Sequence, residues 1–237
     1  MEDAGFYLDL LEDEGRGLAD AAGGNETVPV PTCPGWDVTD LLCHLATFQL
    51  WITGIVADRA GEARLPTEAR PPAGEPVVAW FRSALSGLLA ELRATPPDTP
   101  VWTVTIDHRA GAWAARQAAE TAVHRWDVDN ALGQARSIAQ AADYLDELFG
   151  LLMPSVLPFL GVKLPSGRLR LQDGSASWLV EAVDGRIALG RDTAGHADVT
   201  VAGTSSDLLL AVGGRPARVE ISGDAEVFRS WQEALRA

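Results

Sequence analysis

Residues 37–59 read DVTDLLCHLATFQLWITGIVADR. Leu41, Leu45, Phe48, Ile52 and Ile55 recur three and four residues apart, which predicts a helix with one apolar stripe. Asp37 or Thr39 stands where such a helix needs an N-cap. His44 shares the phase of Leu41, Phe48, Trp51 and Ile55, so it falls on or beside that stripe. An imidazole turned toward a helical core needs polar partners, because burying it unpaired costs on the order of 1–3 kcal/mol. The rest of the chain must supply them.

On the N-terminal side, Phe6, Leu10 or Leu11, and Leu18 predict an amphipathic helix over about residues 3–20, followed by the loop VPVPTCPGW. On the C-terminal side, a Pro-rich connection at 61–76 leads to a third helix at about 76–95, carrying Val77, Trp80, Phe81, Leu85, Leu88, Leu89 and Leu92. VWTVTI, at 101–106, is a short extended piece or part of a loop. A fourth helix, at about 110–132, runs through Trp113, Ala119, Val123 and Trp126 to Gly133, a plausible C-terminal stop. Four such helices imply a four-helix bundle.

A further helix is expected near 138–153, and then the pattern changes. RLRLQ, SWLVEAV, RIALGR, ADVTVAG and ARVEISG alternate or run β-branched, and Asp184–Gly185 between two of them is a hairpin signal. Ser206–Val212 and Ala225–Leu235 look helical. The expected organisation is two domains, a bundle over 1–154 and a small α+β domain over 155–237.

Composition narrows the function classes. The 237 residues are 47% hydrophobic and 22% charged, an ordinary globular profile. With 33 acidic against 19 basic residues the net charge is −14, so neither nucleic acid nor an anionic membrane surface is an expected partner. Cys33 and Cys43 make no disulfide framework, and the acidic N-terminus lacks the features of a signal peptide. The longest apolar stretch, around Phe149–Val162, is broken by Pro154, Pro158 and Gly161, so no plain membrane-spanning helix is expected. A cytoplasmic protein is the resulting expectation.

Four histidines carry most of the chemical interest: His44, His108, His124 and His196. Glu120 and His124, four apart on the fourth helix, project from one face. Alone, such a pair is commonly a solvated helix face. Together with His44 it forms a His₂Glu set that could hold a divalent metal and leave a fourth position open, as catalytic sites require. A buried, hydrogen-bonded His–Glu pair without metal is the other reading of the same spacing. Cys33 and Cys43 fit no standard zinc spacing and are expected to be packing residues; His108 and His196 are expected in solvated turns. There is no GxSxG elbow, Walker loop or well-placed GxGxxG.

VPTCPGWDVTDLLCHL, with RQAAETAVHRWDVD some seventy residues later, resembles the mycothiol-dependent maleylpyruvate isomerase family. That resemblance spans nearly the whole chain. It implies a DinB-like metal-binding four-helix bundle followed by a sterol-carrier-like α+β domain. It places the family's metal ligands, usually to zinc, on His44, Glu120 and His124, and implies mycothiol as thiol cofactor or cosubstrate. LLLAVGGRPARVEISGD resembles the segment that carries an arginine needed for activity, with Arg215 as its counterpart. The implied reaction is isomerisation or S-conjugation of a small electrophilic, carboxylate-bearing substrate such as maleylpyruvate. A metal enzyme that uses no thiol and a carrier of small apolar ligands remain as alternatives.

Overall fold

The computed structural model describes residues 3–62, 66–174, 176–191 and 194–235. Residues 63–65 of the Pro-rich connection lie outside them. The chain forms two compact units: residues 1–103 with 107–138, and residues 104–106 with 139–237.

The first unit contains α1 (Ala4–Ala22), α2 (Val38–Ala57), α3 (Val77–Ala94) and α4 (Ala110–Ala131). α1 packs mainly on α4, α2 mainly on α3, and α2 meets α4 more sparingly. The expected stripe of α2 is its buried face, with Leu41, Leu45, Ile52 and Ile55 essentially inaccessible. Asp37 is the N-cap, in a reciprocal capping box with Asp40 that satisfies two backbone donors at the helix start. Between α1 and α4, the Arg125 guanidinium lies over Gly17, and Arg125 Nη1 donates to Glu14 Oε2 at 2.9 Å.

One expectation needs correction here. By length and composition α2 could cross a membrane, so a segment of that kind does exist. Of its most apolar 18-residue window, 56% is buried inside the protein, as befits a core helix whose apolar residues face its neighbours.

The second unit opens with α5 (Ala141–Glu147), a π-helical turn (Leu148–Leu152) and α6 (Met153–Phe159). The expected helix therefore does not stop before Pro154. The π turn rearranges the hydrogen-bond ladder just ahead of it, and Pro154 enters the first turn of α6, where a missing N–H costs little. These helices belong with the sheet, and the two units divide at 138/139 where the sequence suggested 154/155. Trp178 Nε1 donates to Asp146 Oδ1 at 2.9 Å, and the Phe149 and Trp231 rings stand 6.4 Å apart, edge to face.

Five strands follow: β1 (Leu169–Asp173), β2 (Ala176–Val183), β3 (Arg186–Arg191), β4 (Val199–Ala202) and β5 (Glu220–Gly223). Their order is β3-β2-β1-β4-β5, with β1 and β4 parallel and the other pairs antiparallel. Register aligns Leu171 with Trp178 and Val201, and Leu169 with Val180 and Val199, so that one face is a continuous buried layer. Asp184 and Gly185 both have positive φ, 51° and 74°, as a two-residue hairpin requires. α7 (Ser205–Val212) links β4 to β5, and α8 (Ala225–Leu235) buries Phe228 and Trp231. VWTVTI forms no strand, and Ile106 N–H donates to the Leu151 carbonyl.

Candidate metal centre

His44, two turns into α2, and Glu120 and His124, one turn apart on α4, meet where those helices face each other. The Nε2 atom of His44 lies 3.5 Å from Glu120 Oε1, and Nε2 of His124 lies 3.2 Å from the same oxygen. The three donor atoms fall within 4.8 Å of one another. Two imidazole nitrogens aimed at one carboxylate oxygen suit a divalent cation, so the donor set fits the metal that the spacing suggested.

Each candidate donor is held from behind. His124 turns its other nitrogen to Asp127, whose Oδ2 lies 2.9 Å from Nδ1. Asp127 is fully buried and also accepts from Thr32 Oγ1 at 2.7 Å and Cys33 Sγ at 3.7 Å. A carboxylate behind a histidine in this way sets the tautomer and orientation of the ring. Arg116 Nη2 donates to Glu120 Oε2 at 2.6 Å. The His44 ring sits between Trp36 and Phe48, with centroids 5.0 and 4.9 Å away.

Thr32, Cys33 and Trp36 come from the loop before α2. Cys33 N–H donates to the Val30 carbonyl and Trp36 N–H to the Cys33 carbonyl, closing two successive turns. Gly35, at φ +85°, supplies the left-handed residue that lets the second turn close.

The electrostatics follow from this packing. Burial pushes the Glu120 carboxyl up, but hydrogen bonds with His124 and His44 and the Arg116 charge outweigh it and hold the group well below the usual carboxylate range. Burial pulls His124 down, but hydrogen bonds with Asp127, Cys33 and Glu120 raise it well above an ordinary histidine. Beside His44 opens a cavity of about 490 Å³, lined among others by Trp36, Asp40, Cys43, Phe48 and Arg70. Burial raises the Cys43 thiol above its ordinary value.

Of the residues singled out in the sequence, His44, Glu120 and His124 come together. Arg215 lies in the second unit, in the turn after α7, with its N–H bonded to the Leu210 carbonyl. His108 and His196 are exposed, and His196 pairs with Asp198 at 3.2 Å. Cys33 is more than a packing residue: with His124 and Asp127 it forms a second group of close donor atoms, on the opposite edge of the same imidazole. That group is internally hydrogen-bonded around the buried Asp127, so it serves as backing for His124. Asp127 and Arg116 were missed in the sequence. The only available signal was their position on α4, three residues after His124 and four before Glu120.

The profile of the mycothiol maleylpyruvate isomerase N-terminal domain matches residues 8–129, the segment that contains all three donors. No curated protein matches the chain. Similar solved structures include a mycothiol-dependent maleylpyruvate isomerase, at 15% identity and TM-score 0.56. A mutant of a mycothiol-dependent maleylpyruvate isomerase is similar at 14% identity and TM-score 0.59. Each comparison covers 93% of this chain and 93% of the other, so the likeness of fold extends through both units. With a family match over more than half its length and the corresponding fold throughout, the chain belongs to the mycothiol maleylpyruvate isomerase N-terminal domain family.

Proposed function

We propose that His44, Glu120 and His124 bind a divalent metal, with zinc as the expected ion. On this reading the protein uses mycothiol to isomerise or S-conjugate a small electrophilic, carboxylate-bearing substrate such as maleylpyruvate. The observation that carries the reading is the convergence of two Nε2 atoms on Glu120 Oε1, at 3.5 and 3.2 Å, beside a cavity large enough for a small molecule.

A metal bound there supplies positive charge that lowers the pKa of a thiol in the open position. The residues of the chain prepare the place. Asp127 keeps Nδ1 of His124 as the protonated nitrogen and leaves Nε2 as the donor. Trp36 and Phe48 wall the His44 side of the cavity with apolar surface. Arg215 is proposed, from the sequence resemblance, to hold the substrate carboxylate, for which a planar guanidinium offers two parallel hydrogen bonds.

The test is elemental analysis of protein prepared without a polyhistidine tag, comparing wild type with a His44→Ala/His124→Ala variant. About one metal per chain in the wild type and almost none in a variant of unchanged far-UV circular dichroism is the expected result. Activity toward maleylpyruvate that requires added mycothiol then supports the thiol half of the proposal. A wild type that takes up no metal on reconstitution overturns it.

A further inference from the structure

Glu120 has two oxygens, and the structure treats them differently. Oε1 faces both histidine nitrogens, whereas Oε2 accepts from Arg116 Nη2 at 2.6 Å. Arg116 stands one turn before Glu120 on α4, and its side chain is only 11% exposed. The i,i+4 pair between Arg16 and Glu12 has side chains 55% and 38% exposed, so solvent screens it and can replace either partner. In the Arg116–Glu120 pair the arginine side chain is 11% and the glutamate 32% exposed, so solvent competes for the guanidinium less than it does at Arg16.

A carboxylate can bind a cation through one oxygen or both. We propose that Arg116 is a positioning residue that holds Glu120 to a single donor oxygen, and so keeps a coordination position open for a thiol. This rests on the metal reading above. For Oε2 to turn toward the cation, a short charge-assisted hydrogen bond must break. The guanidinium also offsets the charge of Glu120, so more of the metal's positive charge remains for an anionic sulfur. Removing the cation from Oε2 frees that oxygen to chelate, which fills the open position and competes with the thiol.

The experiment loads the full-length protein with Co(II), whose visible absorption is intense in four-coordinate sites and weak at higher coordination. Wild type, Arg116→Met and Arg116→Lys are compared, each titrated with N-acetylcysteine as the thiol probe and checked by far-UV circular dichroism. Wild type is expected to show the intense bands, together with sulfur-to-cobalt charge transfer as the thiol binds. Arg116→Met is expected to lose visible intensity and to bind the thiol roughly tenfold more weakly, the scale on which residues behind metal ligands act. Arg116→Lys, which retains a cation for Oε2, keeps the wild-type spectrum. Should Arg116→Met fail to fold, Arg116→Leu, which also lacks a donor for Oε2, carries the same comparison.

Unchanged intensity and thiol affinity in Arg116→Met overturn the inference. So does an Arg116→Lys variant as impaired as Arg116→Met, because the cation at Oε2 is then not what matters. A wild type that takes up no Co(II) overturns the metal reading itself, so the two failures are distinguishable.

Discussion

The buried Asp127 carboxylate approaches Nδ1 of His124 to 2.9 Å and accepts from Thr32 Oγ1 at 2.7 Å through its other oxygen. One side chain thus ties a proposed metal ligand on α4 to the loop that carries Trp36, which packs on the other histidine. Asp127→Asn preserves the shape but removes the charge that orients His124. It is expected to weaken metal binding by roughly 10–100-fold, measured by competition with a chromophoric chelator. Asp127→Ala also leaves His124 Nδ1 and the Thr32 hydroxyl without this acceptor, and should lower the stability of the metal-free protein by about 1–3 kcal/mol in denaturant titration.

Asp40 links the start of α2 to the cavity wall. A hydrogen bond from Arg70, followed by the backbone contact at Asp37, holds its carboxyl below the ordinary 3.8. A depressed carboxyl contributes stability above its unfolded pKa, and that contribution is lost as the pH falls through the folded value. Wild type should therefore lose stability on acidification from about pH 5 toward pH 2 more steeply than Asp40→Asn. Because the Asp40 side chain is 34% exposed, screening limits the effect to within about 1 kcal/mol. Melting temperatures measured across that range test this; equal acid slopes would remove Asp40 from the account.

In the second unit, Gly223 closes β5 at φ +92°, and an added Cβ would overlap the carbonyl oxygen of Asp198. The obstacle is backbone, so no side chain can swing aside to relieve it. Gly223→Ala should destabilise the protein by at least about 1–3 kcal/mol from backbone conformation alone. By contrast, Gly185→Ala has open space for its Cβ and pays only for its positive φ, so it should be the milder change. Thermal unfolding of the two variants checks the order.

Arg215→Met separates substrate binding from metal binding. With a carboxylate substrate the expected result is a loss of kcat/KM of at least tenfold, the scale of one lost charge-assisted hydrogen bond, with metal content unchanged. Retained activity would remove Arg215 from the proposed site.

Much of this architecture is legible from local pattern. The repeat Leu41, Leu45, Ile52, Ile55 announces α2, the alternation Leu169, Leu171 announces β1, and Asp184–Gly185 announces the hairpin, because each depends on the period of one element and on backbone torsions of adjacent residues. The Pro154 region misled for a reason of the same kind. A proline removes one donor and ends most helices, but a π turn immediately before it allows helical structure to continue, and spacing does not signal that rearrangement.

The sequence by itself determined which residue types could form a metal centre, since only four histidines exist and one of them has a glutamate at helical spacing on the same face. What surrounds those candidate donors was decided by tertiary structure. Thr32 and Asp127 are 95 residues apart and His44 and Glu120 are 76 apart, so their contacts depend on how the helices and the preceding loop pack. Arg116 and Asp127 are near the ligands in sequence, yet an arginine or aspartate at that spacing on an exposed helix would be a solvated charge of little consequence. Asp127 is fully buried against the loop before α2 and the Arg116 side chain is only 11% exposed, and that desolvation turns two ordinary charged residues into the groups that orient the ligands of the proposed site.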